Sequence, residues 1–210
     1  MINDTRITSK KCDKIEKVII TFHGYGTSGA DFAEVGDIFL SKKIDNAVFI
    51  FPDAPYKCNN GLFDVTGFEW FPLEGEITEC NLRKGIDKVS KLVESYINDI
   101  VLQYYPKELV IIGFSQGAMI ALETLYFNHA SKIIAFSGIF SERKDKSCFN
   151  NSRVLLIHSE DDHVVPYKYA TEAKNKLDDI GIDTRLVTYK DIGHTISIEA
   201  WQQAIDFINK

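Results

Sequence analysis

Gly113-Phe114-Ser115-Gln116-Gly117 follows the apolar run Leu109-Val110-Ile111-Ile112 and opens onto Ala118-Met119-Ile120-Ala121-Leu122. A serine flanked by glycines two residues to either side, between a strand-like run and a helix-like run, is the sequence form of a nucleophile elbow. The turn is so tight that only glycine fits at the two flanking positions. The serine hydroxyl then stands at the end of a strand, above the first N–H groups of a helix. That placement suits a serine that attacks a carbonyl carbon.

Working outward from the elbow, short apolar and β-branched runs recur between amphipathic segments. Residues 17–22, 47–51, 109–112, 133–136, 154–157 and 184–189 read as strands. Most are continuously apolar, as expected where helices cover both faces of a sheet. Helical patterns occupy 31–41, 80–105, 115–127, 167–180 and 196–208. The longest carries Leu82, Ile86, Val89, Val93, Ile97 and Ile100 at helical spacing and stops before Pro106. Strand–helix alternation throughout predicts an α/β fold, with a mostly parallel central sheet of at least six strands and helices on both faces.

The chain has 210 residues, which fits one domain spanning 1–210. It is 45% hydrophobic and 26% charged, with a formal net charge of -6. That balance supports a core and disfavours a polyanion partner, so no nucleic acid is expected. No window has the apolar length of a membrane span, and the polar N-terminus does not read as a signal peptide. A cytoplasmic location without stable membrane insertion is expected. Cys12, Cys58, Cys80 and Cys148 lack metal-ligand spacing and read as bystander thiols in a reducing compartment.

Residues 52–79 break the strand–helix rhythm. This excursion is rich in aromatic residues, which a disordered loop would lack. It reads as a packed cap or pocket wall, with Phe68, Trp70 and Phe71 on an acyl pocket together with Met119, Ile139 and Phe140.

A nucleophilic serine needs a base, and the base needs an orienting acid. With this elbow the chain order is serine, acid, histidine. The strand 154–157 runs into His158-Ser159-Glu160-Asp161-Asp162-His163-Val164-Val165-Pro166, and the strand 184–189 runs into Lys190-Asp191-Ile192-Gly193-His194. His194 is therefore the expected base. Asp162 is favoured over its neighbour Asp161 as the acid, by its spacing from the strand and the following Val-Val-Pro. The intermediate needs two N–H donors. The backbone of Gln116 supplies one, and Tyr25 in the turn His23-Gly24-Tyr25-Gly26 is the candidate for the other. The side chain of His23 reads as structural.

Two other patterns compete for these residues. Gly24-Tyr25-Gly26-Thr27-Ser28-Gly29 matches a dinucleotide-binding fingerprint, with Asp53 in range of a ribose. The same loop is needed for the oxyanion, however, and Asp53 precedes the irregular Ala54-Pro55. His158 and His163 flank three acids, but the spacing fits no metal motif. His158 is expected to pack at the strand end and His163 to face the cleft.

His-Gly-Tyr-Gly, Phe-Pro-Asp-Ala-Pro, Gly-Phe-Glu-Trp-Phe, Gly-Phe-Ser-Gln-Gly, Phe-Ser-Gly, Asp162-x-Val-Val-Pro and Gly193-His194 occur in this order. With these motifs the chain resembles the phospholipase/carboxylesterase group of α/β-hydrolases, which includes the acyl-protein thioesterases. The resemblance implies a compact α/β-hydrolase fold and a serine hydrolase of short- to medium-chain esters or thioesters. It implies no metal and no organic cofactor. It assigns the triad to Ser115, Asp162 and His194, and the oxyanion donors to Tyr25 and Gln116. The expected partner is a small-molecule acyl ester or thioester, and a homodimer stays open. Ala118 departs from the glycine many members carry after the elbow. Residues 57–79 depart from the thioesterase branch, with Gly67 to Phe71 closer to bacterial carboxylesterases.

Overall fold

The computed structural model describes residues 2–9, 11–41, 43–58, 67–73, 78–127, 129–144 and 151–210. Residues 59–66 and 74–77 of the excursion, and Cys148, lie outside the described residues.

Nine strands and five helices follow one another along these residues. In chain order they are β1 (Asp4–Thr8), β2 (Lys17–Phe22), α1 (Gly29–Phe39), β3 (Ala47–Pro52), β4 (Tyr56–Lys57), β5 (Phe68–Glu69), α2 (Glu79–Tyr104), β6 (Glu108–Phe114), α3 (Gln116–Glu123), β7 (Lys132–Phe136), β8 (Arg153–Ser159), α4 (Lys168–Asp179), β9 (Thr184–Tyr189) and α5 (Ile198–Ile208). The main sheet has seven strands in the order β1-β3-β2-β6-β7-β8-β9. All its pairings are parallel except β1 on β3. The six expected strands are all present. The seventh, β1, adds an antiparallel edge that the sequence reading did not include. Its residues are only half-buried or exposed, because a single neighbour covers it.

Alternation along the strands divides the core in two. Val18, Ile20 and Phe22 of β2 pack with α2, α3 and α4, whereas Ile19 packs with α1 and α5. Side chains alternate between the faces of a strand, so a continuous apolar run serves both layers. The expected apolar face of α2, from Leu82 to Ile100, is buried. Thr78 caps its start by accepting from the Asn81 N–H. Tyr105 ends it in the left-handed region (φ 44°), ahead of Pro106.

The chain leaves β2 towards β3 and later returns to lay β6 on the opposite side of β2. The loops after β2 and β6 thus diverge at the carboxyl ends of neighbouring parallel strands. Open α/β sheets place their ligands in the crevice at such a point.

Candidate active site

The elbow sits at this crevice, and sterics dictate its glycines. A Cβ on Gly113 would lie 2.2 Å from the Gly117 carbonyl oxygen. One on Gly117 would lie 2.3 Å and 2.4 Å from the carbonyl oxygens of Phe22 and His23. Between them Ser115 adopts φ 54° and ψ −116°, a conformation costly for a residue with a side chain. Its N–H donates to the Phe136 carbonyl at 2.9 Å, so β7 helps to hold the turn.

Three side chains from three strand ends meet there. The Ser115 hydroxyl lies 3.0 Å from His194 Nε2, and His194 Nδ1 lies 2.8 Å from Asp162 Oδ2. The other Asp162 oxygen, Oδ1, accepts from the Val164 and Val165 N–H groups at 2.9 Å and 2.8 Å. Burial pushes the Asp162 carboxyl up, but the hydrogen bonds from His194 and these N–H groups outweigh it and hold the group below its ordinary range. An ionised Asp162 accepts from Nδ1–H, which leaves Nε2 to accept from the serine hydroxyl. The Phe114 ring lies against His194, with ring centres 4.9 Å apart. The neighbouring Asp161 does not take the ring; its Oδ2 accepts from the Gly193 N–H at 3.2 Å.

Gln116 is the first residue of α3, so its N–H has no acceptor within the helix. The sequence reading gave its side chain no role, yet the structure gives it one. Its Oε1 accepts from the Trp70 N–H, and its Nε2 donates to the Phe71 carbonyl, both at 2.7 Å. The Trp70 indole N–H donates to the His23 carbonyl at 2.9 Å. The His23 ring accepts from the Ala54 N–H at Nε2 (3.0 Å) and donates from Nδ1 to the Gly24 carbonyl (2.7 Å). Gly26 and Thr27 exchange backbone hydrogen bonds with Phe68. The turn carrying Tyr25 is thus clamped between the Asp53–Ala54 segment, β5 and the start of α3.

The residues expected to wall the pocket differ in exposure. Trp70 and Phe71 are only 0% and 1% exposed and belong to the core, with the Phe22 ring edge-on to Trp70. They support the elbow through their backbone instead of presenting side chains to the cleft. Phe68 is half-buried, and Met119 and Ile139 each retain 7% exposure.

The dinucleotide reading meets a direct obstacle. The Asp53 carboxylate accepts from the Gly29 N–H at 2.9 Å, and Ser28 and Asp31 form a capping box. The N-terminus of α1, where a pyrophosphate would bind, is occupied by carboxylates. His158 is buried, donates to the Val165 carbonyl at 2.7 Å and lies 3.6 Å from Asp162. His163 is exposed on the same loop. Among the described residues no group of His, Cys, Asp and Glu side chains could hold a metal ion. Nor is any described helix long and apolar enough to cross a membrane.

Burial pushes the pKa values of His23 and His158 down, because the protonated ring would lose its hydration there. Unfolded, both titrate near pH 6.5. Below that pH the unfolded chain takes up protons that the folded chain refuses, so stability falls as the pH drops from about 6.5 towards the folded values. Each group contributes a slope of up to about 1.4 kcal/mol per pH unit. The Asp162 contribution is present above its unfolded pKa of about 3.9 and is lost only below it. Urea midpoints should be level from pH 8 to 7 and fall between pH 6.5 and 5. A level midpoint down to pH 5 would contradict the neutral, buried state of these histidines.

A parallel sheet with an elbow serine, a histidine and an aspartate at its strand ends defines an α/β-hydrolase. The chain belongs to the phospholipase/carboxylesterase family, whose model matches residues 3–210. It is 28% identical to the esterase YpfH of Escherichia coli over 205 residues, covering 92% of this chain and 82% of that protein. It is 29% identical to acyl-protein thioesterase 1 homolog 1 of Dictyostelium discoideum over 203 residues, covering 91% and 89%. Among solved structures, that of esterase PE8 superposes with a TM-score of 0.89 at 30% identity, covering 99% of this chain and 98% of that one.

Proposed function

We propose that this protein is a serine hydrolase that cleaves carboxylic esters of short- to medium-chain acyl groups through an acyl-enzyme on Ser115. The hydrogen-bonded line from Ser115 through His194 to Asp162, on a strained elbow at the sheet crevice, carries this reading.

The Ser115 oxygen attacks the ester carbonyl carbon, and its proton passes to His194 Nε2. Asp162 stabilises the resulting imidazolium. Negative charge develops on the carbonyl oxygen, where the N–H groups of Gln116 and Tyr25 receive it. The tetrahedral intermediate collapses, and His194 gives its proton to the departing alcohol. Water then attacks the acyl-serine while His194 takes its proton. The acid leaves, and Ser115 recovers its hydroxyl. Phe68, Met119 and Ile139 are assigned to the acyl wall, because they keep some exposure while Trp70 and Phe71 do not.

A second reading keeps the triad and changes the leaving group to a thiol. It is favoured by the acyl-protein thioesterases among the relatives. The two are separated by measuring kcat/KM for p-nitrophenyl esters of rising acyl length beside thioesters of the same acyl groups. Oxygen esters of short to medium chains are expected to be preferred. A preference for long-chain thioesters would replace the first reading with the second.

A further inference from the structure

We propose that Asp161 is a positioning residue, which holds the backbone that delivers His194 while Asp162 holds its ring. This rests on the triad assigned above.

The last paired residues of the ladder between β8 and β9 are His158 with Thr188 and Ser159 with Tyr189, and the Glu160 N–H then donates to the Tyr189 carbonyl at 2.8 Å. Beyond this point the chain must turn back within four residues to place His194 over the elbow. The turn is unusual: Asp191 has φ 60° and Gly193 has φ 61°. Nothing among the described residues lies within 4 Å of where a Cβ on Gly193 would stand, so that side of the turn is unpacked. Lys190 reaches Glu160 at 3.5 Å, but both side chains are exposed and such a pair contributes little.

Asp161 supplies the anchor. Its Oδ2 accepts from Gly193 N–H, one residue before His194. Its other oxygen accepts from the hydroxyl of Ser159, which is buried at the end of β8. The carboxylate is therefore fixed by the sheet on one side and fixes the histidine turn on the other. The Ser159 hydroxyl, together with the N–H groups of Gly193 and Ile192, holds it below the ordinary carboxylate range, so it is an ionised acceptor at neutral pH. Two adjacent aspartates thus act on one histidine through different atoms. A loose His194 backbone would leave the ring hydrogen bonds intact on average and spoil their alignment. A displacement of about 1 Å at a reacting group can lower a rate about 100-fold.

The test compares Asp161→Ala and Asp161→Asn with the wild type. An asparagine oxygen can still accept from Gly193, so Asp161→Asn should keep kcat within about threefold of wild type. Asp161→Ala should lower kcat about 10- to 100-fold with KM within twofold. In Asp161→Ala the far-downfield proton resonance of His194 Nδ1–H, identified by its loss in His194→Ala, should broaden or vanish. Asp161→Ser, too short to reach Gly193, gives the same contrast should the alanine variant not fold. An unchanged kcat or an unchanged resonance on truncation would overturn the proposal. So would an Asp161→Asn variant as slow as Asp161→Ala. Failure of the triad reading would look different: activity would survive Ser115→Ala, and the wild type would lack the resonance.

Discussion

Replacing Ser115 with alanine is expected to lower kcat for ester hydrolysis by roughly 10⁴-fold or more and to leave the fold intact. The magnitude follows from the role. Without the hydroxyl there is no acyl-enzyme, and His194 has nothing to deprotonate except water held at the wrong place. What survives is the contribution of the oxyanion donors and of binding, which is small beside covalent catalysis. Structure loses little, because the hydroxyl bonds to His194 alone among the described contacts of that oxygen. Alanine also meets the same backbone demand at φ 54° that serine already meets. Steady-state kinetics on a p-nitrophenyl ester, with the melting temperature measured on the same preparations, check this outcome. A folded variant retaining more than a hundredth of the activity would remove Ser115 from the mechanism, and labelling by a fluorophosphonate should disappear along with turnover.

Glu123→Ala is expected to be the most damaging single truncation away from the site. Glu123 is the last residue of α3, the helix that begins at the elbow, and is only 2% exposed. Its carboxylate is met by Arg83 Nη1 at 2.9 Å, Arg143 Nη2 at 2.5 Å and the Ser90 hydroxyl at 2.9 Å. Arg83 also donates to the Ser141 carbonyl at 2.8 Å, and the Arg143 guanidinium lies 4.6 Å from the centre of the Tyr126 ring. One buried acid therefore ties α2, α3 and the segment after β7 together. A buried ion pair adds little over an apolar replacement. Removing one partner, however, strands the other's charge and costs about 3–5 kcal/mol. Here Arg83 would keep Asp87 at 2.8 Å while Arg143 would lose its Glu123 carboxylate, in a domain class whose whole stability is about 5–15 kcal/mol. Urea denaturation should show a lower midpoint with an unchanged slope. Glu123→Gln, which can still accept from one arginine, should lose less. Equal midpoints for wild type and Glu123→Ala would mean that the cluster is solvated and only incidental to the fold.

Legibility in the sequence tracked the range of the interactions involved. The six strands, most of them continuously apolar, the elbow and the serine–acid–histidine order are local or ordinal signals, and the six strands are all present. The edge strand β1 escaped because Asp4-Thr5-Arg6-Ile7-Thr8 has one neighbour and no need of an apolar run. The pair β4 and β5 escaped because two-residue strands leave no periodicity to read. Trp70 and Phe71 looked like a pocket wall, since an aromatic cluster in an irregular stretch reads alike whether it faces a cleft or a core. What decided between them was the Gln116 amide, 45 and 46 residues further along the chain. The role of Asp162 was readable from its spacing, whereas that of Asp161 was not, because the Gly193 N–H it accepts from lies 32 residues downstream.

The Gln116 amide has a consequence for how this scaffold can vary. Its two hydrogen bonds hold Trp70 and Phe71 within the excursion, while β3 holds Pro52 at its start. Changes that keep the Ala54 contact to His23 and the pairing of Phe68 with Gly26 and Thr27 should leave the turn at Tyr25 and the first N–H of α3 in place. Surface segments tolerate such change when rigid elements hold their ends. The backbone that holds the elbow is thereby tied to the excursion at a few points only.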